Sequence, residues 1–308
     1  MKDYFFKSAV VFAAVCSFVF SFTSCGKNTE KKTIDRSGLS ITLPANTNRI
    51  ISGAPSNTEI IIALGLADKL VAIDKYSSDI KGVPSVPSID FMNPDGETII
   101  NLAPDIIIVN GKNLNGSDND PFRILKETGI TVVYVPMSKS IEDIYRDITF
   151  LSDILDRKDE GEKLLNDTKE KIKLITDITS SIPYKKTIYF EISPEPSIVT
   201  FGSDTYLNEI IELAGGKNIF DDKINIVYPN AEAIIVRNPD IIITDVNYID
   251  DPIGKIKKRD GFDTITAVKN DAVYYVDANA VSRPTQNVVL AIEQLARQIN
   301  PEYFDNGE

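Results

Sequence analysis

Histidine and tryptophan are absent from this chain of 308 residues, and its only two cysteines, Cys16 and Cys25, lie near the amino terminus. Histidine is the commonest general base and metal ligand in proteins, so its absence removes most hydrolytic and transition-metal sites. Without a thiol beyond Cys25, the folded part has no disulfide and no thiolate-bound metal. The motifs Gly-x-Ser-x-Gly, Gly-x-Gly-x-x-Gly and the P-loop are also missing. We therefore predict no enzymatic activity, no catalytic residues, no metal and no cofactor.

Basic residues are comparatively few, with 33 lysines and arginines against 45 aspartates and glutamates and a net charge of -12. A surface this acidic repels phosphate backbones, so the sequence predicts no nucleic-acid partner. Hydrophobic residues make up 43% of the chain, which is enough for real cores. The length allows one large domain or two ordinary ones.

Long apolar runs are scarce as well, and the most prominent one, Ser8–Phe22, stands at the amino terminus. A positively charged start followed by a short apolar run is typical of an export signal peptide. Thr23-Ser24-Cys25-Gly26 resembles a bacterial lipobox, which implies that Cys25 becomes the lipid-modified first residue. The alternative is a plain signal peptide with an incidental cysteine. We assign residues 1–25 to the signal peptide and 26–46 to a polar tether, and we expect an extracytoplasmic, membrane-anchored lipoprotein in the periplasm or at the cell surface.

Short β-branched segments alternate with amphipathic helical patterns from about Arg49 onwards. The predicted strands are Ile50–Ser52, Leu70–Ile73, Ile106–Val109, Thr131–Val135, Thr187–Ile192, Ile241–Thr244 and Ala272–Val276. The predicted helices include Thr58–Leu64, Pro121–Thr128, Leu207–Ala214 and Asn287–Ile299. Strands that alternate with helices indicate βαβ units and a mostly parallel sheet.

A helical block with a break at Asp156–Asp159 separates the two series of strands. We therefore predict an α/β protein of two Rossmann-like lobes with mostly parallel sheets, joined by a single long helix. The N-terminal α/β lobe is assigned to residues 47–157, the connecting helix to 158–182 and the C-terminal α/β lobe to 183–308. A helical connection should resist large closing motions.

One segment occurs twice, as Glu97–Ile108 and Glu232–Ile243, with the shared pattern Glu, six residues, then Pro-Asp-Ile-Ile-Ile. The pattern predicts a short helix, a stop at Pro-Asp and a buried strand. The repeat indicates that one lobe is a duplicate of the other.

Five segments in order resemble a known family. They are Ser52–Glu59, Glu97 with Pro104-Asp105, Gly215–Phe220, Glu232 with Pro239-Asp240, and Ser282-Arg283-Pro284. Together they resemble the periplasmic binding proteins that serve ABC importers of cobalamin, iron-siderophores and haem, over nearly the whole mature chain. The resemblance implies a monomer with a shallow cleft between two lobes. It also implies that Glu97 and Glu232 dock onto arginines of the permease dimer. The alternative is that each glutamate only suits the dipole of its helix.

Open α/β sheets bind ligands at the carboxyl ends of their strands, so we expect the ligand in the loops that follow them. The predicted ligand-binding residues are Pro55, Ser56, Asn57, Tyr76, Phe91, Asn110, Lys112, Phe201, Tyr228, Tyr248 and Arg283, with Asn247 beside them. The resemblance implies aromatic walls from Tyr76, Phe91 and Tyr228. It also implies an anion contact from Arg283, aided by Lys112 or Arg237. Single aromatics are, however, more often core residues, and a loop arginine can be a plain surface ion pair.

By this resemblance, the predicted solute is an anionic iron-siderophore-type chelate held by Arg283. Cobalamin is a further candidate, although Asn110 and Val199 replace two residues that are aromatic in cobalamin-binding relatives. Haem is disfavoured because Phe91 stands near the usual iron-ligating tyrosine, which leaves Tyr76 as the alternative ligand. Relatives that bind bare zinc or manganese use several histidines, so that subclass is excluded. A surface lipoprotein that binds a protein partner is the alternative from another class.

Overall fold

A computed structural model describes residues 31–111 and 120–304 of the protein. The predicted lipidation site Cys25 and the predicted ligand contact Lys112 lie outside the described residues.

The N-terminal lobe is built on a parallel sheet of five strands. Its strands, and the hairpin before them, are β1 (Lys31–Ile34), β2 (Ser40–Leu43), β3 (Ile50–Gly53), β4 (Leu70–Asp74), β5 (Ser88–Ile89), β6 (Ile106–Asn110) and β7 (Thr131–Val135). Its helices are α1 (Pro55–Ala63), α2 (Gly96–Asn101), α3 (Arg123–Glu127) and α4 (Ile141–Ile154). The order across the sheet is β5-β4-β3-β6-β7. The central strands are buried on both faces, as a parallel sheet covered by helices requires.

The C-terminal lobe follows α5 (Lys158–Thr179) and repeats this plan with four parallel strands. Its strands are β8 (Thr187–Glu191), β9 (Thr200–Phe201), β10 (Lys217–Asn218), β11 (Ile226–Val227), β12 (Ile241–Thr244) and β13 (Val273–Tyr275). Its helices are α6 (Tyr206–Leu213), α7 (Ala231–Arg237), α8 (Pro252–Lys257), α9 (Thr266–Lys269), α10 (Ala278–Ser282), α11 (Val288–Ile299) and α12 (Pro301–Phe304). The main sheet has the order β10-β8-β12-β13, and β9 pairs with β11 in a separate antiparallel pair.

The connecting helix α5 has 22 residues and packs against α4 of the first lobe and α11 of the second. Its buried face includes Thr168, Ile172 and Ile175, three of the residues whose spacing predicts an amphipathic helix. One helix therefore braces both lobes. The prediction of an α/β protein with two lobes and mostly parallel sheets is confirmed.

The Pro-Asp of the repeated segment has the same structural role in both lobes. The Asp105 carboxylate accepts hydrogen bonds from the backbone N–H groups of Asn48, at 2.8 Å, and Arg49, at 2.9 Å, just before β3. The Asp240 carboxylate accepts from the N–H and the hydroxyl of Thr187, at the start of β8, both at 2.8 Å. Each aspartate thus joins the start of one central strand to the start of its neighbour.

The antiparallel hairpin β1-β2 lies in the range predicted as a polar tether. The Asp35 carboxylate accepts a hydrogen bond from the backbone N–H of Tyr134 in β7, at 3.1 Å. Arg36 forms an ion pair with the buried Asp147 of α4, at 2.6 Å. The folded lobe therefore includes these residues, which contradicts a tether that extends to residue 46. The charged side chains of this segment have partners far along the chain, 99 positions away for Asp35 and 111 for Arg36.

Candidate functional site

A cavity of about 590 Å³ opens between the two lobes. The N-terminal lobe lines it with residues that follow β3 and β4: Pro55, Ser56, Lys75, Tyr76, Ser78 and Asp79. The C-terminal lobe lines it with residues that follow β12 and β13: Asn247, Ala278, Asn279, Ser282, Arg283 and Pro284. All of these loops stand at the carboxyl ends of parallel strands, the edge where open α/β sheets bind ligands. The volume is that of a small-molecule site.

Tyr76 is the aromatic side chain of this cavity, and it is 61% exposed. It belongs to a 3-10 turn, Lys75–Ser77, which the Asp74 carboxylate caps by accepting the N–H of Tyr76 at 2.8 Å. The ammonium group of Lys75 lies 5.0 Å from the centre of the Tyr76 ring and pairs with Asp90 at 2.8 Å. The backbone of the turn is therefore fixed while the ring stays available to a ligand.

Three predicted ligand residues are buried in the N- and C-terminal lobes and do not line the cavity. Phe91, only 6% exposed, packs against Phe122 with ring centres 6.1 Å apart. Phe201 is fully buried against Phe190, with ring centres 5.3 Å apart. Asn57 is also buried, and its side-chain amide lies 3.4 Å from a backbone carbonyl oxygen of β6. These three side chains lie inside the lobes and outside the cavity lining, so their contact with a ligand stays a prediction.

The other predicted contacts lie near the same edge but outside the cavity lining. Tyr228 and Tyr248 are exposed, in the loops that follow β11 and β12, and Asn110 is half-buried at the end of β6. Their contact with a ligand stays a prediction. Arg237 pairs with Asp222 at 2.8 Å and stacks on the Phe220 ring, so it does not offer a free charge to an anion.

Arg283 reaches the cavity from the C-terminal lobe but is held by the opposite lobe. Its guanidinium lies 2.7 Å from a carboxylate oxygen of Asp79 and 3.2 Å from one of Glu59. It also donates to the backbone carbonyl of Tyr76 at 3.2 Å. Burial opposes the ionisation of Asp79, but the hydrogen bond and the charge of Arg283 outweigh it and lower the pKa of that carboxyl. Arg283 is thus an ion-pairing residue in this structure. An anionic ligand would have to compete with the carboxylates of Asp79 and Glu59 for its guanidinium.

Glu59 completes this contact between the lobes. The sequence analysis predicts no binding or docking role for this residue. It lies in α1 and is buried, and its second carboxylate oxygen accepts hydrogen bonds from Thr285 and from the Asn287 amide, both at 2.7 Å. All its partners named here belong to the C-terminal lobe. An acid directly before Ile60-Ile61-Ile62 is unusual for an apolar helix, and this was the one local signal available.

Glu97 and Glu232, the acids of the repeated segment, are both exposed in the first turns of α2 and α7. Asp95 and Asn230 cap these helices by accepting backbone N–H groups at 3.1 Å and 3.0 Å. Each helix ends where the next parallel strand begins, so its first turn points to the carboxyl edge of the sheet. The two glutamates therefore lie at the edge that also holds the cavity.

Within residues 31–111 and 120–304, no three or more acidic, cysteine or histidine side chains are grouped to hold a metal ion. No helix in the same residues has the length and apolar character needed to cross a membrane.

The sequence profile of periplasmic binding proteins matches residues 50–280. The chain belongs to the periplasmic binding protein family. It is 32% identical, over 97% of its own length and 99% of the relative, to an uncharacterized ABC transporter substrate-binding lipoprotein of Bacillus subtilis, YvrC. It is 30% identical to a vitamin B12-binding protein of Vibrio cholerae, over 82% of this chain and 89% of the relative. A solved structure from Staphylococcus epidermidis, described as a possible iron-binding (periplasmic solute-binding) protein, matches with a TM-score of 0.74. Identity is 34%, over 82% of this chain and 99% of that one.

As a periplasmic binding protein, the chain is the solute-binding component of an ABC transporter and not an enzyme, which confirms two of the predictions. Its place of action is outside the cytoplasm. The cavity lies between the two lobes, where the family resemblance predicts the solute-binding cleft.

Asp245 is a further unusual residue of this periplasmic binding protein, at the carboxyl end of β12 and two positions before Asn247 of the cavity. One of its carboxylate oxygens is buried without a hydrogen-bond partner in the described part of the chain. Burial raises the pKa of this carboxyl to about 7. The pKa of the nearby Tyr206 hydroxyl is raised as well, by burial and by the negative charge of Asp245. A carboxyl in such surroundings favours its protonated form.

We expect the Asp245→Asn variant to gain stability relative to the wild type as the pH rises from about 4 to about 7. An unfolded aspartate loses its proton near pH 3.9, whereas the folded protein keeps it up to about pH 7. The stabilisation is therefore complete below the unfolded pKa and is lost as the pH rises to the folded pKa, by at most about 1.4 kcal/mol per pH unit. Asparagine resembles the protonated acid but does not ionise, so the variant keeps this stabilisation as the pH rises. Urea unfolding across that pH range measures the difference.

Asp250→Asn is the matched control, because it removes an exposed carboxylate from the same loop. Any pH trend that the two variants share is then subtracted. Parallel stability curves for the wild type and Asp245→Asn would mean that the Asp245 carboxyl is ionised throughout in the folded protein.

Proposed function

We propose that this protein captures an iron-siderophore-type chelate in the cavity between its lobes and delivers it to the permease of an ABC importer. The observation that carries the proposal is the open cavity of about 590 Å³ with the exposed Tyr76 ring in its lining. A bare ion would need several converging charged ligands, whereas the cavity lining is mostly hydroxyl, amide and apolar. An aromatic face suits a bulky chelate with an apolar periphery.

The relatives support the same class of solute. The Staphylococcus epidermidis protein is described as a possible iron-binding protein, and its fold is similar to that of this chain. Cobalamin is the second candidate, since the Vibrio cholerae relative is a vitamin B12-binding protein and covers most of this chain. Both solutes are bulky metal chelates, and the cavity is open to solvent, so a ligand larger than its volume could extend beyond it.

The ligand is identified by measuring thermal stability with a panel of ferric siderophores, cobalamins and haem. A ligand that binds only the folded state raises its melting temperature. We expect a ferric siderophore to give the largest shift, and we expect Tyr76→Ala to weaken that ligand about tenfold, a loss of about 1.4 kcal/mol, through lost aromatic contact. Isothermal titration calorimetry measures the affinity.

Tyr184→Ala is the control for Tyr76→Ala. Tyr184 is equally exposed, 65% against 61%, but it stands just before β8, at the opposite edge of the C-terminal sheet. A larger shift with cobalamin would select the second candidate. A panel without any stabilising member would contradict chelate capture and favour a surface lipoprotein that binds a protein partner.

We further propose that Glu97 and Glu232 dock the loaded protein onto the permease. Both are exposed at the edge that holds the cavity, so a permease bound there would face the ligand. We expect the double variant Glu97→Gln with Glu232→Gln to lower uptake at least about tenfold, because charged pairs at an interface steer association and contribute to its affinity. Ligand affinity should stay unchanged. Transport in proteoliposomes and calorimetry of the isolated protein give the two readings.

Glu142→Gln is the control for docking, since Glu142 is also an exposed acid in the first turn of a helix, α4, but lies outside the repeated segment. If all three glutamates affected uptake equally, a helix-dipole role would explain them. Weaker ligand binding by the double variant would instead mean that the glutamates line the cleft.

We propose finally that Cys25 carries the lipid anchor. The lipoprotein assignment of the Bacillus subtilis relative, which aligns with 97% of this chain, supports it. We expect Cys25→Ser to abolish incorporation of a labelled fatty acid and to release the protein from the membrane fraction. Cys16→Ser is the control, because Cys16 lies inside the predicted signal peptide. Continued labelling of Cys25→Ser would contradict the proposal.

A further inference from the structure

Among the described residues, the two cations in the lining of the interlobe cavity, Lys75 and Arg283, are already paired with carboxylates. Lys75 lies 2.8 Å from Asp90, and Arg283 lies 2.7 Å from Asp79 and 3.2 Å from Glu59. These five groups are two cations and three carboxylates, so together they carry one net negative charge. Such a group repels an approaching anion and attracts a cation.

The guanidinium of Arg283 also has little room for another partner. Its side chain is only 11% exposed, and it donates to two carboxylates and to the Tyr76 carbonyl. An anionic ligand would have to displace one of these carboxylates to reach it. Displacing Glu59 would leave a buried charge unpaired, which is strongly unfavourable. Asp79 is the exchangeable partner, because its side chain is 52% exposed and solvent can take over its hydrogen bonds.

We propose that Asp79 determines the charge selectivity of the cavity. The Asp79 carboxylate pairs with the Arg283 guanidinium and shields its charge from anions. The cavity therefore binds chelates of zero or positive net charge in preference to anionic ones. This inference rests on the proposed capture of a chelate. It changes the expected net charge of the ligand from negative, as the sequence predicts, to zero or positive. Asn279 keeps Asp79 in position from the C-terminal lobe, since its amide donates to the second carboxylate oxygen at 2.9 Å.

The test is a series of ligands that share one metal-binding scaffold and differ mainly in net charge. Ferrioxamine B carries a free ammonium group, its N-acetyl derivative is uncharged, and its N-succinyl derivative carries a carboxylate, all around the same ferric centre. Aquocobalamin, cyanocobalamin and a monocarboxylate of cyanocobalamin form a parallel series on the second scaffold. The wild type should bind the anionic member of the preferred series at least about tenfold more weakly than the uncharged one. Asp79→Asn should recover about tenfold for the anion and change the uncharged ligand by less than about threefold.

Two further variants give the controls. Arg283→Gln in the Asp79→Asn background should remove the recovered affinity for the anion, because the exposed cation is then gone. Glu59→Gln is added to this variant so that no buried carboxylate is left unpaired. Asp177→Asn removes the same charge from a residue paired with Lys173 on the connecting helix, outside the cavity lining. It should leave the charge preference unchanged. Equal wild-type affinity for all three charges, or an equal effect of Asp79→Asn on all three, would overturn the inference.

A second measurement does not depend on the identity of the natural solute. Pyrophosphate and citrate, used as simple anions, should raise the melting temperature of Asp79→Asn by a larger amount than that of the wild type. The Asp79→Asn variant that also carries Arg283→Gln and Glu59→Gln should not show the increase. If neither ligand series binds the wild type, chelate capture fails, and this measurement still decides the role of Asp79. Equal anion effects on the wild type and Asp79→Asn would refute it.

Discussion

The buried carboxylate of Glu59 is the constraint on which the arrangement of the two lobes depends. It belongs to α1 of the N-terminal lobe, and its partners Arg283, Thr285 and Asn287 belong to the C-terminal lobe. A buried charge is tolerated only when it is paired and hydrogen-bonded, so the lobes must keep the positions that satisfy it. The connecting helix α5 also packs against helices of both lobes, so the Glu59 contact does not hold them alone. The cavity walls are therefore largely pre-formed, and the solute meets surfaces whose spacing is already set.

Much of the fold could be predicted from local sequence patterns. Continuous β-branched runs such as Ile106–Val109 and Ile241–Thr244 become the central strands, because only a sheet covered on both faces buries them. The repeated Pro-Asp ends each preceding helix, and its aspartate then accepts backbone N–H groups at the neighbouring strand, as Asp105 and Asp240 do. The exposed first-turn positions of Glu97 and Glu232 follow from the same pattern. These features depend on residues close in sequence or on the regular geometry of parallel sheets.

The candidate site was predicted less well, because its decisive contacts join residues far apart in the chain. Arg283 and Glu59 are separated by 224 positions, and no local pattern indicates which carboxylate a loop arginine will meet. Phe91 and Phe201 have the type and position expected of cleft aromatics, yet each fills the core of its own lobe. The hairpin β1-β2 was missed for a similar reason, since its charges find partners in β7 and α4. Position relative to a strand end predicts the edge of each sheet at which the cavity lies, but it does not distinguish inward from outward side chains.

Because the two cations of the described lining are paired with carboxylates, hydrogen bonds to neutral groups become the main means of distinguishing one solute from another. Once Lys75 and Arg283 are paired, the remaining polar lining consists mainly of serine hydroxyls and the amides of Asn247 and Asn279. Hydroxyl and amide groups recognise a ligand through the direction of hydrogen bonds, which discriminates strongly only when a ligand presents matching groups. The periphery of a hydroxamate chelate or of a corrinoid carries such amide groups, whereas an anionic chelate presents charges that this lining cannot compensate. With the charge pairing proposed for Asp79, the solute would be selected by shape and by neutral hydrogen bonds. The proposed docking charges, Glu97 and Glu232, are exposed at the same edge.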